Sequence, residues 1–311
     1  MIDIFTTILG IITAIFATFC FNLGMVLQKK GLKECSEIKI EEGMRSVLRS
    51  FKEFCKNKHW LIGTTLGLIG FIPYVIAMGM VGILVVQPVS TIGLIIFVIS
   101  AIRILDEKVT LFEIMSIAIL VISPVLIGFA SISDINIDFS KVFFPYITFF
   151  SVVIISCVFS YLISKRERGK KLEGFFIMII GSLLFSLGAT FTNILAEAFK
   201  DANVFPLFFW EILFGIFWLD PIHIWLFFGF WGMITFNLTS IIFFQSALQK
   251  KKAVVVVPIH NAIILIVPIL AGLFVFNQKF ENILLFLVSI VLILISIISL
   301  SKFQAEIESI E

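Results

Sequence analysis

The 311 residues are 60% hydrophobic and 14% aromatic but only 14% charged, whereas a soluble domain carries about 25% charged residues. That balance excludes a soluble domain as a description of the whole chain. The formal net charge of +2 gives no reason to expect a nucleic-acid partner.

Nine charge-poor runs follow one another, each near the about 20 residues needed to cross roughly 30 Å of hydrocarbon: Ile4 to Leu27, Trp60 to Met80, Ile83 to Leu105, Leu111 to Ala130, Val142 to Ser164, Phe175 to Ala196, Trp225 to Leu248, Ala253 to Phe276 and Ile283 to Leu300. They are continuously apolar, unlike the alternating strands of a membrane barrel, and the bilayer admits only helices or closed barrels. The predicted fold class is therefore all-α, a polytopic membrane helix bundle of about nine spans in a single membrane domain over 1–311. The first run has no basic flank before it and no small-residue cleavage site after it. It is expected to be a mature span rather than a signal peptide.

After the first run, Lys29-Lys30-Gly31 reads as a topology anchor with glycine ending the helix. The connection beyond it places Met44, Val47, Leu48, Phe51, Phe54 and Cys55 at helical spacing, with Arg45, Arg49, Lys52, Lys56 and Lys58 on the remainder. This pattern suits a helix in the membrane interface with its basic face toward anionic headgroups, or a plain amphipathic connector. In the second run Gly63, Gly67 and Gly70, at three- and four-residue spacing, predict close approach of another helix. Further along, Asn203 to Asp220 is aromatic-rich and too interrupted to span. Its length and tryptophans predict a re-entrant or interfacial element on the outer side.

Counting Lys and Arg by connection orients the chain. Connections 28–59, 103–110, 165–174, 250–252 and the C-terminal tail hold 20 of the 23 basic residues, and the other side holds Lys141, Lys200 and Lys279. Basic residues stay cytoplasmic, so a cell-membrane protein with the N-terminus outside and the C-terminus cytoplasmic is expected. With 13 acidic residues inside and 8 outside, the inner face is net +7 and the outer face −5. Glu197, Glu211 and Asp220 would then concentrate cations at the outer mouth by field focusing, or simply be solvated carboxylates beside an interface. Of the four cysteines, Cys20 and Cys157 fall within spans and Cys35 and Cys55 in a cytoplasmic connection, so no disulfide is expected.

The two halves share an order of features. Trp60 opens the second span and Trp225 the seventh; Val85 to Thr91 corresponds to Val256 to Asn261 with one gap; Asp106-Glu107-Lys108 corresponds to Asn277-Gln278-Lys279. Repeat 1 (4–130), a linking span (142–164) and repeat 2 (174–301) predict an inverted-topology repeat of four spans, one, and four. Such pseudosymmetry suits secondary carriers. Pro88 and Pro258, each removing a helix N–H, are the expected helix breaks. Polar residues beside them and within other spans are the expected lining of a solute path: Gln87, Ser90, Thr91, Asn193, Asn237, Gln245, His260 and Asn261. Interhelical hydrogen bonding is the plainer role for the amides, Asn22 among them, and packing the plainer role for His260. No nucleophile with its base and no pair of carboxylates lies inside a span, so neither catalytic residues nor a cofactor are expected, and no set of metal ligands stands out.

Several stretches carry a family resemblance: Leu27-Gln28-Lys29-Lys30-Gly31, Gln87-Pro88, Phe244-Gln245-Ser246-Ala247-Leu248 and Val256-Val257-Pro258. With them the chain resembles the drug/metabolite transporter superfamily, EamA-like branch, and within it the NIPA-type magnesium transporters. The resemblance covers nearly the whole chain and implies paired inverted bundles and a small solute or divalent cation such as magnesium as partner, besides the lipid bilayer. Where those transporters typically carry Gly-Glu in the second span, this chain has Gly70-Phe71. Import or export of a small organic metabolite or drug stays open at this stage, as do a non-transporting scaffold and a homo-oligomer.

Overall fold

A computed structural model describes the backbone of residues 4–81, 83–130, 139, 141–169, 172–201 and 209–307; among these, the side chains of 4–7, 75, 78–79, 81, 83–85, 87–88, 90–92, 128, 200–201, 209 and 301–307 lie outside the described residues. The described chain is helical, without a β-strand. Its elements are α1 (Ile4–Lys33), α2 (Met44–Phe54), α3 (Lys58–Val81), α4 (Ile83–Leu105), α5 (Leu111–Phe129), α6 (Phe143–Arg166), α7 (Glu173–Asp201), α8 (Phe209–Phe214), α9 (Pro221–Lys250), α10 (Ala253–Phe274) and α11 (Ile283–Ile307). Among the described residues six helices are long and apolar enough to cross a membrane, in α1, α6, α7, α9, α10 and α11, and shorter apolar helices cover Gly93–Leu105 and Leu111–Ile127. The protein is a multi-pass membrane protein.

Several helices outrun the apolar stretches that predicted them, because backbone hydrogen bonding continues into the polar flanks. α1 is the clearest correction. Gly31 does not end it; the helix runs to Lys33. A side chain at Gly31 would strike the Trp60 backbone and the Asn57 side chain, so the glycine serves a close crossing instead of a cap. Similarly, α4 and α10 stay helical through Pro88 and Pro258, so neither proline breaks its helix. Each is the sixth residue of its helix, where a missing N–H costs one hydrogen bond near the end.

The described residues form two compact units. One comprises 1–130, 245–259 and 282–311, the other 131–244 and 260–281. In the first, α1 and α3 cross at glycine: a side chain on Gly24 would meet the Gly63 carbonyl, one on Gly63 the backbone of Gly24 and Gln28, and one on Gly70 the Cys20 side chain and the Ala17 carbonyl. Gly67 faces open space, so of the three predicted packing glycines two carry the crossing. Small residues permit this backbone approach. In the second unit, α7 is the most buried of the six candidate spans, at 67% of its apolar window. Around it Tyr146, Phe191, Ile194, Leu195 and Trp225 form a buried cluster, with Tyr146 edge-on to Phe191 and Trp225.

The described part of the 203–220 segment is α8 followed by one turn of 3-10 helix, Gly215–Trp218; residues 202–208 lie outside the described residues. Asp220 precedes Pro221, the first residue of α9, a favoured pairing of cap and N1 proline. It accepts the His223 amide at 3.3 Å and its ring Nδ1 at 2.7 Å, while the His223 ring stacks on Trp218. The side-chain hydrogen bond from His223 holds the Asp220 carboxyl below its ordinary value. A depressed carboxyl contributes stability that is complete above the ordinary range of about 4 and fades as pH falls through the lowered value. Asp220→Asn should therefore lower the thermal midpoint at neutral pH, with the gap to the parent closing in acid. A gap that persists unchanged in acid would rule out the charged cap.

Candidate functional site

Hydroxyls recur every fourth residue along α7: Ser182, Ser186 and Thr190 are fully buried, and Asn193, one turn on, is half-buried. Spacing of four puts them on one helix face. The stripe meets α10. Ser182 Oγ lies 2.9 Å from His260 Nδ1 and donates to the Met178 carbonyl. Its single hydroxyl proton is thereby used, which makes Nδ1 of His260 the donor between the two. Ser186 Oγ reaches the Ile263 carbonyl at 3.4 Å. The His260 ring packs against Phe244 and Phe185, at centroid distances of 4.2 and 5.6 Å. His260 is thus a buried, hydrogen-bonded ring at the foot of a polar stripe, with the half-buried Asn261 beside it. Ser182 and Ser186 were not among the predicted residues, although their four-residue spacing in an otherwise apolar span was the available signal.

Asn237 of α9 donates to its own helix, at Met233 O, and packs where a side chain on Gly188 of α7 would collide with it. It joins the same pair of helices as Ser240, whose hydroxyl donates to Gly181 O. Asn237 and Asn193 are half-buried.

The first unit holds a counterpart on α1. Thr18 and Asn22, again four apart, are buried and face α4 where a side chain on Gly93 would strike both. Gly93 is five residues after Pro88, and Ile263 is five after Pro258. The same register position in α4 and α10 therefore faces the polar stripe of α1 and of α7. Further agreement follows at the helix ends. Asp106 and Asn277 both adopt left-handed backbone, φ 55 and 51, a conformation that Asp and Asn tolerate best after glycine. The next residue in each case returns its N–H six positions back, Glu107 to Ala101 and Gln278 to Gly272. Capped helices then begin: Thr110 and Glu113 cap α5 reciprocally, and Asn282 accepts from Leu285 at the start of α11.

At the other end of α1, Gln28 Oε1 accepts from Gln245 Nε2 at 2.8 Å, and Gln245 Oε1 is buried without a protein partner, as is Thr18 Oγ1. One residue on, Lys29 is only 4% exposed. Its ammonium donates to the carbonyls of Leu248 and Lys251 at the C-terminal end of α9. Lys29, expected to serve as part of a topology anchor, is thus an internal cap. Glu107, 8% exposed, completes the arrangement by accepting the amides of Ala253 and Val254, at 2.8 and 3.0 Å, at the start of α10. A cation at a helix C-terminus and an anion at a helix N-terminus each oppose the local dipole charge. The α9–α10 turn is thus clasped by two charges from α1 and the α4–α5 connection. A third, Lys33, caps α4 at the Leu105 carbonyl, 3.0 Å away.

Of the predicted lining, the side chains of Gln87, Pro88, Ser90 and Thr91 lie outside the described residues. The structure brings His260 and Asn237 onto α7, and Gln245 onto Gln28. Among the described residues no group of three or more His, Cys, Asp or Glu could hold a metal ion. The buried hydroxyls and amide of the stripes on α1 and α7 (Thr18, Asn22, Ser182, Ser186 and Thr190) carry no charge, which suits a neutral solute or a cation that keeps much of its water shell; magnesium releases that shell reluctantly.

No curated protein and no solved structure is significantly similar to the chain. The family model for the magnesium transporter NIPA matches residues 5–306, nearly the whole chain and every helix named above. It agrees with the apolar helices and with the family resemblance of the sequence. The chain belongs to the NIPA family of magnesium transporters, within the drug/metabolite transporter superfamily.

Proposed function

We propose that this protein is a secondary transporter that moves a divalent cation, magnesium foremost, by alternating access between two inverted repeats. In this reading α1, α3, α4 and α5 are the spans of the first repeat, α6 links, and α7, α9, α10 and α11 are those of the second, nine spans in all. The N-terminus is outside, the C-terminus cytoplasmic. One observation carries the reading: α4 and α10 agree in the place of the proline, in the position facing a polar stripe and in the left-handed residue that closes the helix end. An odd linking span turns the second copy over in the bilayer, and exchange of conformation between inverted copies is how such carriers alternate.

In this reading Gln87, Ser90, Thr91, Asn193, Asn237, Gln245, His260 and Asn261 are the polar contacts of the solute. Ser182 holds the His260 ring in place, and Ser186 meets the Ile263 carbonyl one turn further along α10. Neutral oxygens in a bundle interior can exchange hydrogen bonds with the water around a hydrated ion at little cost.

Purified protein in liposomes should take up magnesium down its gradient. Single-cysteine replacements at Gln87, Ser90, Thr91 and Asn261, in a background lacking the four native cysteines, should react with aqueous thiol reagents from one side or the other. Four positions sealed from both sides would remove the proposed lining. Uptake of small organic solutes without uptake of magnesium would keep the carrier and replace its substrate.

A further inference from the structure

α2 divides into two faces more sharply than its sequence pattern predicts. Val47, Ser50 and Phe54 are buried, and the Phe51 and Phe54 rings pack against each other and against Trp60. That part of the apolar set is used up by the protein itself. Met44, Arg45, Leu48, Arg49, Lys52, Cys55 and Lys56 are all exposed, and at 100° per residue they fill a single arc of roughly 140°. Met44 and Leu48, 65% and 62% exposed, sit at one edge of the arc and the four cations toward the other. The arc holds no carboxylate. Glu42, outside it, is engaged by Lys39 at 2.9 Å and by Ser46. Glu53, also outside, is engaged by Ser36.

We propose that this exposed face of α2 binds anionic phospholipid headgroups of the bilayer in which the protein sits. Charge complementarity selects that occupant: four cations on an arc that holds no carboxylate attract an anionic surface, and two exposed long apolar side chains beside them enter the shallow interface beneath the headgroups. A neutral surface would add no counter-charge opposite the arc. The helix that carries this face is also wired inward. Glu53 of α2 accepts from the Ser36 amide at 3.1 Å, and the Ser36 carbonyl accepts from Gln249 Nε2 at 3.0 Å. Gln249 Oε1 in turn takes the Ile38 amide at 2.9 Å. Gln249 lies in the last turn of α9, beside the turn that Lys29 and Glu107 clasp. Lipid bound on α2 therefore acts on the α9–α10 turn through two hydrogen-bonded links.

Cys55 lies on the proposed face, and Cys20 and Cys157 are buried, so a fluorophore can be attached there in a Cys35→Ser variant of the full chain. The protein would be reconstituted in mixed phosphatidylcholine and phosphatidylglycerol vesicles, with bromine on one lipid at a time. Stronger quenching by brominated phosphatidylglycerol is expected, falling to equality in Arg45→Gln/Arg49→Gln/Lys52→Gln and, in the parent, when salt shortens the screening length. Equal quenching by the two lipids in the parent at low salt, or none by either, would overturn the proposal. The inward coupling rests on the proposed transport activity and has its own readout. Magnesium uptake should change with phosphatidylglycerol content in the parent and not in the triple variant. Uptake that ignores the lipid while quenching stays selective would overturn the coupling alone, and absence of any uptake would count against the transport reading without touching the lipid site.

Discussion

Glu107→Ala is expected to be among the most destabilising single changes in the described structure, lowering unfolding free energy by on the order of 3 kcal/mol. The carboxylate is buried and holds two amides at the start of α10, which the truncation leaves without their acceptor. Lys29→Met should act on the same turn from the other side, because it strips the Leu248 and Lys251 carbonyls of their donor. The two charges also attract one another, Glu107 being the chief opposite charge felt by Lys29. Removing both must therefore cost less than the sum of the single losses, since each single variant leaves an uncompensated buried charge. Unfolding of parent, single and double variants in one detergent gives the coupling directly. Strict additivity would mean that the two caps are independent and that the turn is not clasped as a unit.

The α1–α3 crossing yields the second large effect. Gly63→Ala should cost about 1–3 kcal/mol, because the added carbon meets backbone of Gly24 and Gln28, which cannot rotate away as a side chain would. Gly63→Leu should prevent assembly of the first unit altogether. Gly67→Ala, one turn on in the same helix, should be neutral or slightly stabilising. Its new methyl group meets nothing within 4 Å, and alanine is the better helix former by about 1 kcal/mol. The contrast between neighbouring glycines makes the comparison sharp: similar losses at 63 and 67 would contradict the crossing geometry. Expression level and thermal midpoint of the purified variants are sufficient to decide it.

Position 67 also shows where sequence reading reaches its limit. Gly63, Gly67 and Gly70 look alike in a one-dimensional pattern, because spacing reveals that they share a face but not how far another backbone approaches along it. Gly31 misled in the same manner. Glycine after a basic pair is a common helix end, yet here the neighbouring Trp60 backbone requires the missing side chain and the helix continues. The Lys29-Lys30 pair resembles a topology anchor for an equally local reason: one lysine is indistinguishable from the next until the carbonyls of Leu248 and Lys251, more than 200 residues away, are brought to it.

What the sequence determined by itself was everything governed by local periodicity and solvent. Long apolar runs cannot stay in water and must satisfy their own backbone, so the helices, their order and the short amphipathic α2 were legible from residue spacing alone. The matched prolines and the Asp106 and Asn277 ends were legible too, because proline and left-handed backbone are local properties. Tertiary structure decided which polar groups meet. Ser182 with His260, Gln28 with Gln245, and Glu107 with the amides of α10 join residues 78, 217 and 146 positions apart. No periodicity encodes such pairings, since a buried hydrogen bond depends on where two helices cross and not on the spacing within either one.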